Sequence, residues 1–187
     1  MRFLLLCPNY LWMGSRQSGV GHVWVGRLVK DSGSESPHFS TYYLENPEEK
    51  NRIRSIEEEE WHHRKLVGEM LRDLGEQPSS FREFKAVIIG RTAGLLCHVA
   101  GWLAPMYGAG KLESRNVREY EVAARHARDC GRTEYVDSLL TMAEVEWEHE
   151  KYFRTQVLKS ALGRRLPMWQ APPPKENIRV SFIEAGA

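Results

Sequence analysis

Two short motifs carry the residue types that hold transition-metal ions: Glu60-x-x-His63 and Glu146-x-x-His149. A separation of three places both side chains one turn apart on the same helix face, where a carboxylate oxygen and an imidazole nitrogen can grip one cation. Glu60 and His63 fall on the stripe Ile53, Ile56, Glu60, His63, Val67, Met70, Leu74. Glu146 and His149 fall on Leu139, Met142, Glu146, His149, Phe153, Val157. Both stripes keep the helical period, so the four polar groups are expected to point into a core. A carboxylate there is costly unless it is paired or bound to a cation. The plainer reading is that Glu-x-x-His arises by chance in charged helices, as the run Glu57-Glu58-Glu59-Glu60 suggests. One copy would be a solvated face; two copies, each on the apolar stripe of a long helix, favour metal.

Helical bundles that hold two iron or two manganese ions take a Glu from each of two helices and Glu-x-x-His from each of the other two. Two further carboxylates are therefore required. In the segment after Lys111, Glu113 lies four residues before Val117 on the stripe Val117, Tyr120, Ala124, Ala127, whereas Glu119 and Glu121 fall off it. Glu113 is the expected ligand, with a helix-start acid facing the dipole as the alternative. The N-terminal segment has no Asp or Glu from Met1 to Lys30. Its stripe Gln17, Val20, Trp24, Leu28 puts Gln17 at the ligand level. A neutral amide oxygen binds a hard cation more weakly than a carboxylate. His22 falls off that stripe and reads as an ordinary histidine; Glu45 lies outside any expected helix. Glu57, Glu119 and Glu150 could receive a ligand histidine's second ring proton, but read first as solvated charges.

These residues need long helices to align them. Tyr10 to Asp31 is weakly helical, interrupted by Gly14, Gly19, Gly21 and Gly26, and is followed by a Ser-rich loop. Asn46-Pro47-Glu48-Glu49 has the form of a helix start: Asn as cap, Pro at the first helical position, acids in the first turn. That helix is expected to run to Leu74 and stop at Gly75. Phe81 to Tyr107 is the most apolar stretch, and within it Ala86 to Met106 has only Arg91 and His98 as obvious polar side chains. Helices are expected over Lys111 to Cys130, ending at Gly131, and over Thr133 to Leu162, ending at Gly163. Residues 1–165 read as one helical bundle and 166–187 as an extended tail around Ala171-Pro172-Pro173-Pro174.

The bulk composition adds limits. Lys and Arg number 26 against 25 Asp and Glu, so net charge gives no reason to expect nucleic acid as a partner. Hydrophobic residues at 42 % and charged residues at 27 % fit an ordinary globular domain. Cys7, Cys97 and Cys130 are too few and too scattered for a disulfide framework or a zinc cluster, and read as reduced thiols. The apolar run Met1 to Cys7 is too short for a membrane span or a secretory signal. A cytoplasmic protein is expected, with residues 86–107 as a surface for peripheral membrane contact, for a second copy of the chain, or for core packing.

At these residues the chain resembles the demethoxyubiquinone hydroxylase family, a branch of the ferritin-like di-iron superfamily. Gly19-Val20-Gly21-His22-Val23-Trp24-Val25-Gly26 is similar to that family's first-helix segment. Glu60-Trp61-His62-His63 with Lys65-Leu66, the apolar run Ala86 to Gly110, and Glu146-Trp147-Glu148-His149 follow in the same order. The likeness spans about Gln17 to Lys159. Ala143 to Lys151 is also similar to rubrerythrins, although no Cys-x-x-Cys pair accompanies it. The chain departs from the family in having Gln17 where the family carries its first-helix Glu. It also ends in a Pro-rich tail in place of the family's last helical segment.

The resemblance implies an all-α, ferritin-like antiparallel four-helix bundle with an added apolar helical segment between the second and third ligand helices. It implies two iron ions, with manganese as the substitute, an external electron donor, and hydroxylation of a hydrophobic quinone-like compound. A rubrerythrin-like peroxidase or iron-handling protein would use the same ligands without an organic substrate. A bundle with a degraded site, acting as a binding protein, would need none of them.

Overall fold

The computed structural model describes residues 47–76 and 103–184. Four α-helices make up most of them: α1 Pro47–Asp73, α2 Leu103–Asp129, α3 Val136–Lys159 and α4 Glu176–Glu184. No strand occurs among the described residues, and the architecture is all-α. No helix among them is long and apolar enough to cross a membrane.

Local sequence explains where the long helices begin and end. Pro47 opens α1, with Glu48 and Glu49 facing the positive end of the helix dipole and Arg72 facing the negative end. Gly75 closes it at φ 74°; the Glu76 amide bonds the Leu71 carbonyl and the Gly75 amide that of Arg72. The end of α2 repeats the arrangement: Gly131 adopts φ 73°, and the amides of Arg132 and Gly131 bond the carbonyls of Ala127 and Arg128. A side chain at either glycine would strain the left-handed backbone that satisfies these last carbonyls.

Helix α2 starts eight residues earlier than its sequence suggests. Pro105 is tolerated because it lies in the first turn, where amides have no intrahelical partner. Gly110 is needed because Trp169 lies on it: a Cβ there would sit 2.4 Å from the indole and 2.9 Å from the Cβ of Phe153. Gly110→Ala should therefore force Trp169 to move, at a cost of about 1–3 kcal/mol. Urea unfolding would show it as a lower midpoint with an unchanged slope.

Two apolar clusters give the relative directions of the helices. Near one end, Ile53 and Ile56 of α1 pack with Met106 and Ala109 of α2, Phe153 and Val157 of α3, and Trp169. Near the other, Val67, Met70 and Leu71 pack with Tyr120, Ala124 and Ala127, and with Leu139, Met142 and Ala143. So α1 and α2 run parallel to each other and antiparallel to α3. The end of α1 and the start of α2 therefore lie at opposite ends of helices about 40 Å long. Residues 86–102 of the apolar stretch, Gln17, His22 and the whole predicted N-terminal helix lie outside the described residues.

Two expectations are corrected. The 166–187 segment is not extended throughout: Ala171 to Pro174 is non-helical, but α4 follows directly. Ile178 of α4 is fully buried in the second cluster, and Arg179 reaches Glu144, Asp137 and Thr141 of α3. The prolines hid a nine-residue helix that packing stabilises rather than its own propensity. Ile178→Val should lower stability by about 0.5–1.5 kcal/mol, whereas Ile183→Val, at a site 69 % exposed, should leave the melting temperature unchanged. Secondly, Cys130 is disulfide-bonded rather than a reduced thiol. Both other cysteines lie outside the described residues.

Candidate metal centre

Between the two apolar clusters the three long helices contribute one polar layer. Glu60 and His63 come from α1, Glu113 and Asn116 from α2, Glu146 and His149 from α3, and none is more than 3 % exposed. Each pair is spaced by three residues, so each helix sends two neighbouring side chains to the same level. Glu60, Glu113, Glu146 and His149 each offer one ligand atom, and these four atoms lie within 4.8 Å of one another. This buried cluster could hold a metal ion.

Glu146, fully buried, is the hub of the layer. Its Oε1 lies 3.0 Å from Nδ1 of His63, and its Oε2 lies 4.0 Å from Nδ1 of His149. Nδ1 of His149 is also 3.2 Å from Oε1 of Glu60. Both imidazoles thus turn the same nitrogen toward the carboxylates. Their ring centroids are 6.4 Å apart, and Tyr120 meets the His63 ring edge-on at 5.9 Å. Asn116 spans two carboxylates, its amide nitrogen donating to Glu113 Oε2 at 3.0 Å and Glu146 Oε2 at 3.2 Å. Its carbonyl oxygen is buried without a hydrogen-bond partner.

The electrostatics call for a cation. Burial pushes the Glu113 carboxyl well above the usual range, and the charges of Glu146 and Glu60 push it further. Burial, then Glu60, raises Glu146 to about 7. Burial alone would lower His149, but hydrogen bonds to Glu59 and Glu60 and the nearby carboxylates outweigh it and bring it to about 10. Three acids in so small a dry volume cannot all be ionised at neutral pH without compensating positive charge. Carboxylate oxygens with imidazole nitrogens form a donor set suited to divalent iron or manganese, so the residues fit such an ion.

Glu60, His63, Glu113, Glu146 and His149 are the residues singled out from sequence, and the fold gathers all five. Glu113 stands ten residues inside α2, which removes its reading as a helix-start acid. Gln17 lies outside the described residues, as do His22 and Glu45. The carboxylate on the outer nitrogen of His149 is Glu59, 2.5 Å from Nε2. Glu150 instead accepts from Trp169 and Arg154, and Glu119 pairs with Arg115. Sequence reasoning missed Glu59 and Asn116. Asn116 could have been found, because it follows Glu113 by three residues. Glu59 carries no such signal within a run of four acids.

A groove of about 550 Å³ opens between α1 and α3, bordered by Glu59, His63, Leu66, Thr141, Met142 and Val145. It borders the layer at Glu59 and His63. Comparison with protein-family models, curated proteins and solved structures finds no match for this chain.

Proposed function

We propose that the chain is a ferritin-like di-iron protein of the oxygen-activating kind, a hydroxylase of a hydrophobic quinone-like compound that draws electrons from an external donor. The observation that carries this reading is the buried layer of three glutamates and two histidines from three helices. The parallel course of α1 and α2 supports it, because ferritin-like bundles contain one long crossover connection.

Glu60, Glu113, Glu146 and the Nδ1 atoms of His63 and His149 would hold the metal, with Gln17 as a further oxygen donor from the N-terminal segment. Two iron ions there would supply dioxygen activation. The protein's own contribution is to hold and to exclude. The Asn116 amide fixes the Glu113 and Glu146 carboxylates in one orientation. The apolar clusters on either side keep bulk water from the layer, which strengthens every charge interaction inside it. The groove between α1 and α3 has a size suited to a small organic ligand.

Elemental analysis after expression in iron-replete medium tests the reading. About two irons per chain are expected, with visible absorption from the oxidised pair. Gln17→Glu should raise occupancy by restoring an acid at the first-helix position. Protein that is purified without metal and refuses added ferrous iron would end the proposal. Peroxide-dependent oxidation without hydroxylation of any ring compound would assign the centre to the rubrerythrin-like class.

A further inference from the structure

We propose that Glu59 is a positioning residue for the centre: it fixes the ring of His149 and the tautomer that presents Nδ1 to the metal. The inference rests on the metal reading of the buried layer. The His149 ring is fully buried and is held between two adjacent residues of α1. Glu60 Oε1 stands 3.2 Å from Nδ1, and Glu59 Oε2 stands 2.5 Å from Nε2. Neighbouring residues on a helix project about 100° apart, so α1 reaches both edges of one ring from α3.

A neutral imidazole has one N–H and one lone pair. A carboxylate can only accept when ionised, so Glu59 retains the proton on Nε2 and leaves the Nδ1 lone pair facing Glu60 and Glu146. Histidines that bind metals commonly donate their other ring proton in this way, which sets the ring orientation and raises ligand basicity. Glu59 is itself braced through its other oxygen, by the Ser55 hydroxyl at 3.0 Å and by Arg52 at 3.5 Å. Each Glu59 oxygen therefore has a separate task, one toward the surface and one toward the ring. Glu59 also borders the α1–α3 groove.

Glu59→Ala removes both the acceptor and its charge, Glu59→Gln keeps an acceptor, and Ser55→Ala loosens only the brace. Titration with Co²⁺, in competition with a chromophoric chelator, should show affinity about 10–100-fold weaker for Glu59→Ala. Smaller losses are expected for Glu59→Gln and Ser55→Ala, with helix content unchanged by circular dichroism. Nitrogen NMR of histidine-labelled protein loaded with diamagnetic Zn²⁺ supplies a readout that a purely structural role would not move. His149, assigned by its loss in His149→Gln, should carry its proton on Nε2 and the metal on Nδ1 in the parent, and show both modes of ligation in Glu59→Ala. Unchanged Co²⁺ affinity and an unchanged tautomer in Glu59→Ala would overturn the Glu59 assignment alone. Failure of the parent protein to bind Co²⁺ would instead overturn the metal reading on which it rests.

Discussion

Glu146→Ala is expected to abolish metal loading while leaving the helices intact. The Glu146 carboxylate lies close to both histidines and accepts from Asn116. Without it the ligand set loses its central oxygen donor, and His63 loses the carboxylate that faces its Nδ1. Loss of an outer partner of a metal ligand costs about 10–100-fold in affinity; loss of this inner donor should exceed that range. Glu146→Gln separates charge from volume. It should lose metal as the alanine variant does, yet melt above the metal-free parent at pH 8, because it removes one of three buried carboxylates that a single imidazolium does not neutralise. Elemental analysis and thermal melts of parent and both variants check this. Full metal content in Glu146→Gln would remove Glu146 from the ligand set.

The second large effect is an inversion of pH dependence by metal. The folded-state pKa of Glu146 is raised from 4.5 to about 7 by burial and then by Glu60. Its contribution to stability is therefore fully present below pH 4.5 and lost as pH rises through about 7. At about 1.4 kcal/mol per unit the loss is of the order of 3 kcal/mol. His149, raised from 6.5 to about 10, acts in the same direction over a higher window: its stabilisation is present below 6.5 and lost through about 10. Glu59 opposes them only in acid. Its hydrogen bond from His149 brings it down to about 2, so its contribution is present above 4.5 and lost as pH falls through about 2. Metal-free protein should be most stable near pH 5 and weaken steadily toward pH 9. Bound metal requires the same groups deprotonated, so the metal-loaded protein should gain stability relative to the metal-free form as pH rises. Denaturant midpoints measured with and without a chelator from pH 5 to 9 read this directly. Parallel curves with and without chelator would show that the layer holds no cation.

Much of this centre was legible because polar residues inside an apolar helical stripe are conspicuous. Glu60, His63, Glu146 and His149 stand at the period of their apolar neighbours, and Glu113 stands at the period of Val117 and Tyr120. Helix ends were equally plain at Pro47, Gly75 and Gly131, where one residue type satisfies one backbone requirement. What could not be read depends on contacts between distant segments. The start of α2 at Leu103 could not be read from the sequence, which sets it at Lys111; the close approach of Trp169 to Gly110 is a contact between distant segments. Helix α4 is too short to announce itself and exists because Ile178 has a core to enter. Glu59 stands off the apolar stripe, and its tie to a buried imidazole of α3 is a contact that no pattern within α1 encodes.

The way the C-terminal segment is fastened has a consequence for how this chain can drift in evolution. Tyr107, Ser114 and Trp147 of the long helices donate hydrogen bonds to the main-chain carbonyls of Pro167, Gln170 and Pro173. Every amino acid carries that acceptor, so these three positions can change identity without releasing the fastening. Trp169, Ile178 and Arg179 engage through their side chains and have no such freedom. Homologues would then diverge more rapidly along the segment away from these anchors, and the donors on the helices would be kept although the residues they hold are not.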